Sequence, residues 1–481
     1  MALPWNTLII YNALALMLFY AIAVSKIVVW IYYSKKSGKN YWLVLGVLGK
    51  NIGVLLGLKF VVNLTFSIFF MKTPESALFH LLSCVVKGTA PEASLFAHMG
   101  AGEWDALYKL AKDQGVTALV FEKLESLPAE VAPPKQLMLQ WFSHTLSIGK
   151  QMERKYIVAA DFAERLAAAN IPVVVLKGFA IAAYYPQPLH RECGDLDCYM
   201  LGKMAEGEAV AASFGAVVEE ANYKHSHIKY KGLTIENHKY FTSFNNTARG
   251  KCTEAALKQL IFAQAPARWD NSALLRPNAT FNALFLAKHA LRHFIDEAIC
   301  LRHIMDWALF LKAEAANVDW QLLRPHLEAS RVLLFAQLLT RISLRHLGLP
   351  ASTPLPDWLR GGCCGGSAAA SACCAGSGEV ADCGSGSAAA ADSGCGDGAA
   401  AVGSSTNCGD GAELLAHWEE MLLADTFGGH PSMAGETFFM KCKRILRRFR
   451  RIYRFRDLAD ETPATLIWNA FAFSSYLHRK L

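Results

Sequence analysis

The sequence predicts an α+β protein, a small mixed β-sheet embedded in a largely helical chain. Three observations carry that prediction. Strand-like runs separated by turn residues are concentrated in residues 171–245, whereas the segments on either side repeat their apolar residues three and four apart. The strand-rich stretch also holds the pattern Asp195-Leu196-Asp197, with a third acid, Glu236, on a later run. Such content suits a sheet with helices on one face.

Residues 1–71 are the most hydrophobic part. Leu8 to Tyr33 is long enough to span a bilayer with one charge, Lys26, and Tyr41 to Phe70 can span despite Lys50 and Lys59. At face value this is a transmembrane hairpin whose connecting loop, with Lys35, Lys36 and Lys39, lies in the cytoplasm by the positive-inside rule. A signal peptide fits poorly, because no basic segment precedes the apolar run and no small-residue cleavage site follows it. Met71-Lys72-Thr73-Pro74 reads as an alternative start.

Residues 72–170 form a helical N-terminal region. The apolar positions of ESALFHLLSCVV, of WDALYKLAKDQGVTALVFEKL and of the run from Gln136 to Ala169 recur at helical spacing, with PAEVAPPK as a turn.

Residues 171–245 carry the chemistry. Val173, Val174, Val175 and Leu176 have the pattern of a buried strand, and Lys177-Gly178 follow where that strand turns into a helix, FAIAAYY. Gly178 lets backbone approach a ligand, Lys177 offers a point charge and the helix start offers N–H groups, a combination suited to phosphates. Further on, Asp195 and Asp197 share one face of a strand, while Leu196 and Cys198 share the other. Two carboxylates aimed at one point repel unless a cation sits between them, and Mg²⁺ or Mn²⁺ suits their hard oxygens. Thr234, Glu236 and His238 alternate with Leu233 and Ile235, which lets Glu236 join the pair from a neighbouring strand.

The run LKG, then YP, Arg191, GDLD and IENH resembles the uncharacterised bacterial nucleotidyltransferases of the DNA polymerase beta superfamily. The resemblance continues through KHALRHF at 288–294 and LRHIMDWALFL at 301–311, covering roughly residues 75–350. It implies a nucleotidyltransferase core in which a Gly-Ser turn holds the nucleotide's phosphates and three carboxylates hold two metal ions. Carried over, Lys177-Gly178 take the turn, Asp195 and Asp197 the paired acids and Glu236 the third. Phe179 stands where the superfamily has Ser, and the gap from Gly178 to Asp195 is long for it. The implied reaction moves a nucleoside monophosphate from a nucleoside triphosphate, ATP or another, to an acceptor hydroxyl and releases pyrophosphate. Arg191, four residues before Asp195, is expected at the triphosphate, and His238 beside Glu236 or the acceptor.

Residues 246–360 return to helical spacing, with Ala283, Leu286, Ala290 and Phe294 in one set and Leu301, Ile304, Ala308 and Leu309 in another. His289 and His293 share a helix face, but position 290 of the would-be HExxH is Ala and no thiolate partner is evident. They read as pocket wall rather than zinc ligands. Arg292 and Arg302 are candidate triphosphate or acceptor contacts; a salt bridge of Arg302 with Asp306 is the competing reading.

Seven of the thirteen cysteines (Cys363, Cys364, Cys373, Cys374, Cys383, Cys395 and Cys408) fall within residues 361–411, a Gly/Ala/Ser/Cys-rich stretch expected to be a disordered insert. The other six lack pairing logic, which points to a reducing compartment. Within the C-terminal helices of 412–481, residues 441–456 hold nine Lys or Arg and no acid, so the net charge of +7 is a local property. Ile445, Phe449 and Ile452 give that helix an apolar stripe, for docking on the domain or for a membrane surface or nucleic acid.

A hairpin with both ends outside would export the catalytic domain to where triphosphate is scarce. The expected location is therefore cytoplasmic, with a membrane-anchored protein as the alternative. The expected partners are a nucleoside triphosphate and an acceptor that is a small molecule, a protein or an RNA end. Membrane association through 1–71 or 441–456 is the further expectation. The competing function is a non-catalytic nucleotide-binding, regulatory or scaffold protein that keeps the fold; RNA binding by the basic helix alone is weaker, without an aromatic platform beside it.

Overall fold

The computed structural model describes residues 74–361 apart from 221–222, 243–247, 270 and 297, and also residues 408–426, 447–448, 450–455 and 458. The expected hairpin of 1–71 and most of the 361–411 insert lie outside the described residues. No helix among the described residues is long and apolar enough to cross a membrane.

The N-terminal helices α1 (Pro74–Lys87), α2 (Ala101–Asp113), α3 (Thr117–Leu124) and α4 (Lys135–Ala168) follow the apolar periodicity of the sequence. In α4 the buried positions Leu137, Trp141, Ile148, Met152, Ala159, Phe162, Ala163 and Leu166 make one stripe. The Trp141 indole donates to the carbonyl of Thr117 at 2.8 Å, which fixes α4 against α3.

The sheet contains β1 (Val173–Val175), β2 (Leu196–Tyr199), β3 (Val217–Glu220), β4 (His225–Tyr230), β5 (Leu233–His238), β6 (Ala267–Arg268) and β7 (Leu274–Arg276), in the order β3-β4-β5-β2-β1-β7-β6. It is mixed. β1 runs antiparallel to β2, while β2 is parallel to β5 and β1 to β7. Helix α5 (Phe179–Ala182) follows β1, and α6 (Met204–Ser213) links β2 to β3. Helix α7 (Ala248–Ala263) precedes β6, so the sheet continues past residue 245 through strands of two and three residues, too short to show a period.

The two faces of the sheet belong to different cores. Val173, Val175, Leu196, Cys198, Ile228 and Ile235 pack with Phe162, Ala163 and Leu166 of α4. Val174 and Tyr199 face the other way and join the helical core with Phe241 and Phe281. Helices therefore cover both faces around β1 and β2, not one face as the sequence suggested. The consecutive valines of β1 are at most 1% exposed, the pattern of a strand buried on both sides.

The helical body contains α8 (Ala279–Asp296), α9 (Leu301–Glu314), α10 (Trp320–Ala329), α11 (Leu333–Arg345) and α12 (Cys408–Thr426). Asn278 starts α8 by accepting from the Phe281 N–H at 2.9 Å while its amide donates to Leu260 O at 2.7 Å. Helix α12 is held by Glu419, which meets Arg341 at 2.5 Å, Arg345 at 2.9 Å and His346 at 2.7 Å. The described part of the basic segment docks by its apolar side. Ile452, Phe455 and Leu458 are buried, Arg451 grips Asp425 at 2.6 and 2.7 Å, and Arg448 meets Asp296 at 3.0 Å.

Candidate active site

The site is built on the turn after β1 and on the facing strands β2, β5 and β4. Leu176 N–H donates to Asp197 O at 3.0 Å, which pins the turn to β2. Gly178 has φ +60° and ψ −109°, a conformation costly for any residue with a Cβ, and an added Cβ would stand 3.4 Å from that of Cys193. The helix expected after it is a single turn, α5. The N–H groups of Ala180 and Ile181 are already given to the carbonyls of Lys177 and Gly178, each at 3.2 Å, so the expected row of donors for phosphate shrinks. Phe179 is buried against Trp269, with ring centroids 5.8 Å apart, and serves packing.

Asp197 and Glu236 stand directly opposite each other in the β2–β5 register, and Asp195 lies just before β2. One carboxylate oxygen from each of Asp195, Asp197 and Glu236 lies within 4.8 Å of the other two. Basic side chains surround them. Lys177 Nζ lies 3.1 Å from Asp197 Oδ1, and His238 Nε2 lies 2.9 Å from the same oxygen. His225 Nδ1 approaches Glu236 Oε2 at 2.9 Å, and His227 Nε2 approaches Glu236 Oε1 at 3.6 Å. The second nitrogen of His238, Nδ1, faces the carbonyl of Tyr240 at 3.0 Å. With an acceptor at each nitrogen, this ring is suited to the doubly protonated form.

The electrostatics agree with that geometry. Burial raises the Asp195 carboxyl above its ordinary range, and the neighbouring Asp197 charge adds to the rise. Burial acts the same way on Asp197, but Lys177 and His238 outweigh it and hold the acid low. Glu236 is also held low, since His225, His238 and Lys177 overcome its desolvation. Burial would lower His238, yet its bonds to Asp197 and Glu236 win and raise it.

A pocket opens beside the acids, lined by Lys177, Lys224, His238, Phe241, Thr242, Phe285, Lys288, His289 and Arg292. Its cations come from the β1 turn, from the segment before β4 and from α8. Burial lowers the Lys224 ammonium, and the charge of Lys177 adds to the shift. Lys224, His225, His227 and Lys288 were not singled out in the sequence. The spacing of Lys288 and Arg292, four apart on one helix face, was the available signal for α8. The alternation of His225 and His227 was the signal for β4.

Other expected residues fall elsewhere. Arg191 was expected at the triphosphate, but it is buried in a two-pronged pair with Asp306, Nε to Oδ1 at 3.1 Å and Nη2 to Oδ2 at 2.6 Å. Tyr185 donates its hydroxyl to the same Oδ1 at 2.6 Å. A buried guanidinium matched to a carboxylate has little left for a ligand. The competing Arg302–Asp306 pair does not form either; Arg302 donates to the carbonyl of Glu192 at 3.3 Å. Arg292 lines the pocket and also meets Asp296 at 2.6 Å. His289 lines the pocket, and His293 follows it one turn later on α8.

The three carboxylates offer a divalent cation a hard, all-oxygen donor set, and their crowding of negative charge, offset by Lys177 and His238, is what such an ion would relieve. The residues present therefore fit a hard divalent ion. No curated protein and no solved structure matches the chain. The family model described as an uncharacterised nucleotidyltransferase matches residues 100–348, which contain the entire sheet, the three acids and the pocket. The chain thus belongs to this uncharacterised nucleotidyltransferase family.

Proposed function

We propose that the chain transfers a nucleoside monophosphate from a nucleoside triphosphate to an acceptor hydroxyl. A bond forms from the acceptor oxygen to the α-phosphorus, the hydroxyl proton passes to Glu236 or to solvent, the α–β anhydride bond breaks, and pyrophosphate leaves. The observation that carries this reading is the convergence of Asp195, Asp197 and Glu236 beside a pocket edged by Lys177, Lys224, Lys288 and Arg292. Anionic phosphates are drawn to the cationic edge, and the acids sit where the α-phosphate must be oriented. Asp195, Asp197 and Glu236 are the residues that would hold two Mg²⁺ or Mn²⁺ ions, which supply activation of the attacking oxygen and neutralisation of charge on the leaving pyrophosphate.

Within that arrangement Asp197 is the most constrained group, fixed by Lys177 and His238. His238 orients Asp197 through Nε2 and is itself held by the Tyr240 carbonyl. Phe241 and Phe285 offer apolar surface for a base or for an acceptor's apolar part. A cytoplasmic location, where triphosphates are plentiful, goes with this activity.

The test is transfer of label from each α-labelled nucleoside triphosphate to small-molecule, protein and RNA fractions, with pyrophosphate release followed in parallel. The expected result is divalent-dependent labelling that the Asp195→Asn/Asp197→Asn variant abolishes. Absence of labelling and of pyrophosphate release with every triphosphate would favour a non-catalytic module that keeps the fold.

A further inference from the structure

We infer that His289, His293 and His303 form a second metal site, distinct from the three acids, that takes a nitrogen-preferring divalent transition ion of the Zn²⁺ class. This inference does not rest on the nucleotidyl-transfer reading.

His289 and His293 lie one turn apart on α8, and His303 reaches them from α9. The ring centroids are 4.5 Å apart for His289 and His293, 4.6 Å for His293 and His303, and 5.9 Å for His289 and His303. One ring nitrogen from each lies within 4.8 Å of the other two. Zinc bonds of about 2.0–2.1 Å place tetrahedral ligand nitrogens about 3.3 Å apart, so closure needs only side-chain rotations of roughly an ångström. Neither His289 nor His293 has a hydrogen-bond partner among the described residues, whereas half-buried imidazoles ordinarily find one.

Cys300 supplies the missing orientation. Its Sγ lies 3.1 Å from His303 Nδ1, which engages that nitrogen and leaves Nε2 to ligate. The sequence had argued against zinc here because no partner stood near His289 and His293. His303 and Cys300 come from the start of α9, brought to α8 by the fold.

The charge state suits ligation. Burial lowers all three imidazoles, and nearby cations, Lys177 and Arg302 among them, push in the same direction, which favours the neutral ring. Neutral imidazole is the ligating form. The same cations oppose any divalent ion, so binding must come from nitrogen donation. That disfavours Mg²⁺ and favours ions late in the first transition row.

The experiment uses the full chain and its Asp195→Asn/Asp197→Asn variant, each loaded with Zn²⁺, desalted and analysed for metal content and by X-ray absorption. The expected result is about one tightly held zinc per chain in both proteins, with nitrogen neighbours at about 2.0 Å. His293→Ala/His303→Ala and the gentler His289→Gln, each checked for a wild-type circular dichroism spectrum, should lose that zinc. Cobalt substitution should give tetrahedral visible absorption in the wild type and none in the histidine variants. No stoichiometric zinc in the folded wild type would overturn the inference. So would zinc kept by folded histidine variants, zinc lost only from the double-Asn variant, or an oxygen-dominated shell.

Discussion

The buried pair Arg191–Asp306 is a sharp test of how the loop before Asp195 is held. Asp306→Ala removes both prongs of the pair and the acceptor of the Tyr185 hydroxyl. Breaking one side of a buried pair costs about 3–5 kcal/mol, and the orphaned hydroxyl adds about 1 kcal/mol. The resulting loss of about 4–6 kcal/mol is a large share of the 5–15 kcal/mol typical of a folded domain. Arg191→Met/Asp306→Leu removes both charges together and should recover most of that loss. The assay is urea unfolding of the wild type, Arg191→Met, Asp306→Leu and the double variant, read as a double-mutant cycle, with Asp306→Ala alongside. The same double variant should bind nucleoside triphosphate within about threefold of the wild type, a difference below 1 kcal/mol. Additive single losses would refute the buried pair. A folded double variant with nucleotide affinity weakened a hundredfold would return Arg191 to the triphosphate.

Other substitutions probe other parts of the account. Gly178→Ala should lower the thermal midpoint, because φ of +60° is strained for Ala by about 1 kcal/mol or more and its Cβ would press on Cys193. Lys224→Met and Lys288→Met should each weaken triphosphate binding by about tenfold at low salt and by less at high salt, measured calorimetrically. Glu419 should shape the acid limb of stability. Burial would raise its carboxyl, but His346, Arg341 and Arg345 overcome this and bring it from 4.5 to about 2. A folded pKa below the unfolded one gives stability that is fully present above the unfolded value and lost as pH falls from 4.5 towards about 2. Urea midpoints of the wild type and Glu419→Gln should therefore differ most above pH ~5 and converge through this window.

The elements with a strong period were legible in the sequence. The valine run of β1, the alternation around Asp195 and Glu236, and the stripes of α4, α8 and α9 come from side-chain burial, which the chain encodes locally. Strands β6 and β7 were not legible, because two or three residues carry no period, and β1, which joins β7 to the sheet, lies about a hundred residues earlier. The site divides along the same line. The convergence of Asp195, Asp197 and Glu236 could be read because strand alternation decides which way each points. Arg191 went to Asp306 instead of a ligand, and His303 joined His289 and His293, because those choices depend on how α8 and α9 pack. Lys224 was missed because it sits in the segment before β4, with no period to give its direction.

In the proposed reaction the three acids and the cationic pocket act as one divalent-dependent nucleotide site. Calorimetric titration of residues 71–481 with each nucleoside triphosphate, with and without Mg²⁺, beside the Asp195→Asn/Asp197→Asn variant, tests it most directly. The expected result is binding that requires Mg²⁺ and that the double variant loses while keeping its fold. A folded wild-type protein that binds no triphosphate, or a double variant that binds as tightly as the wild type, would contradict it.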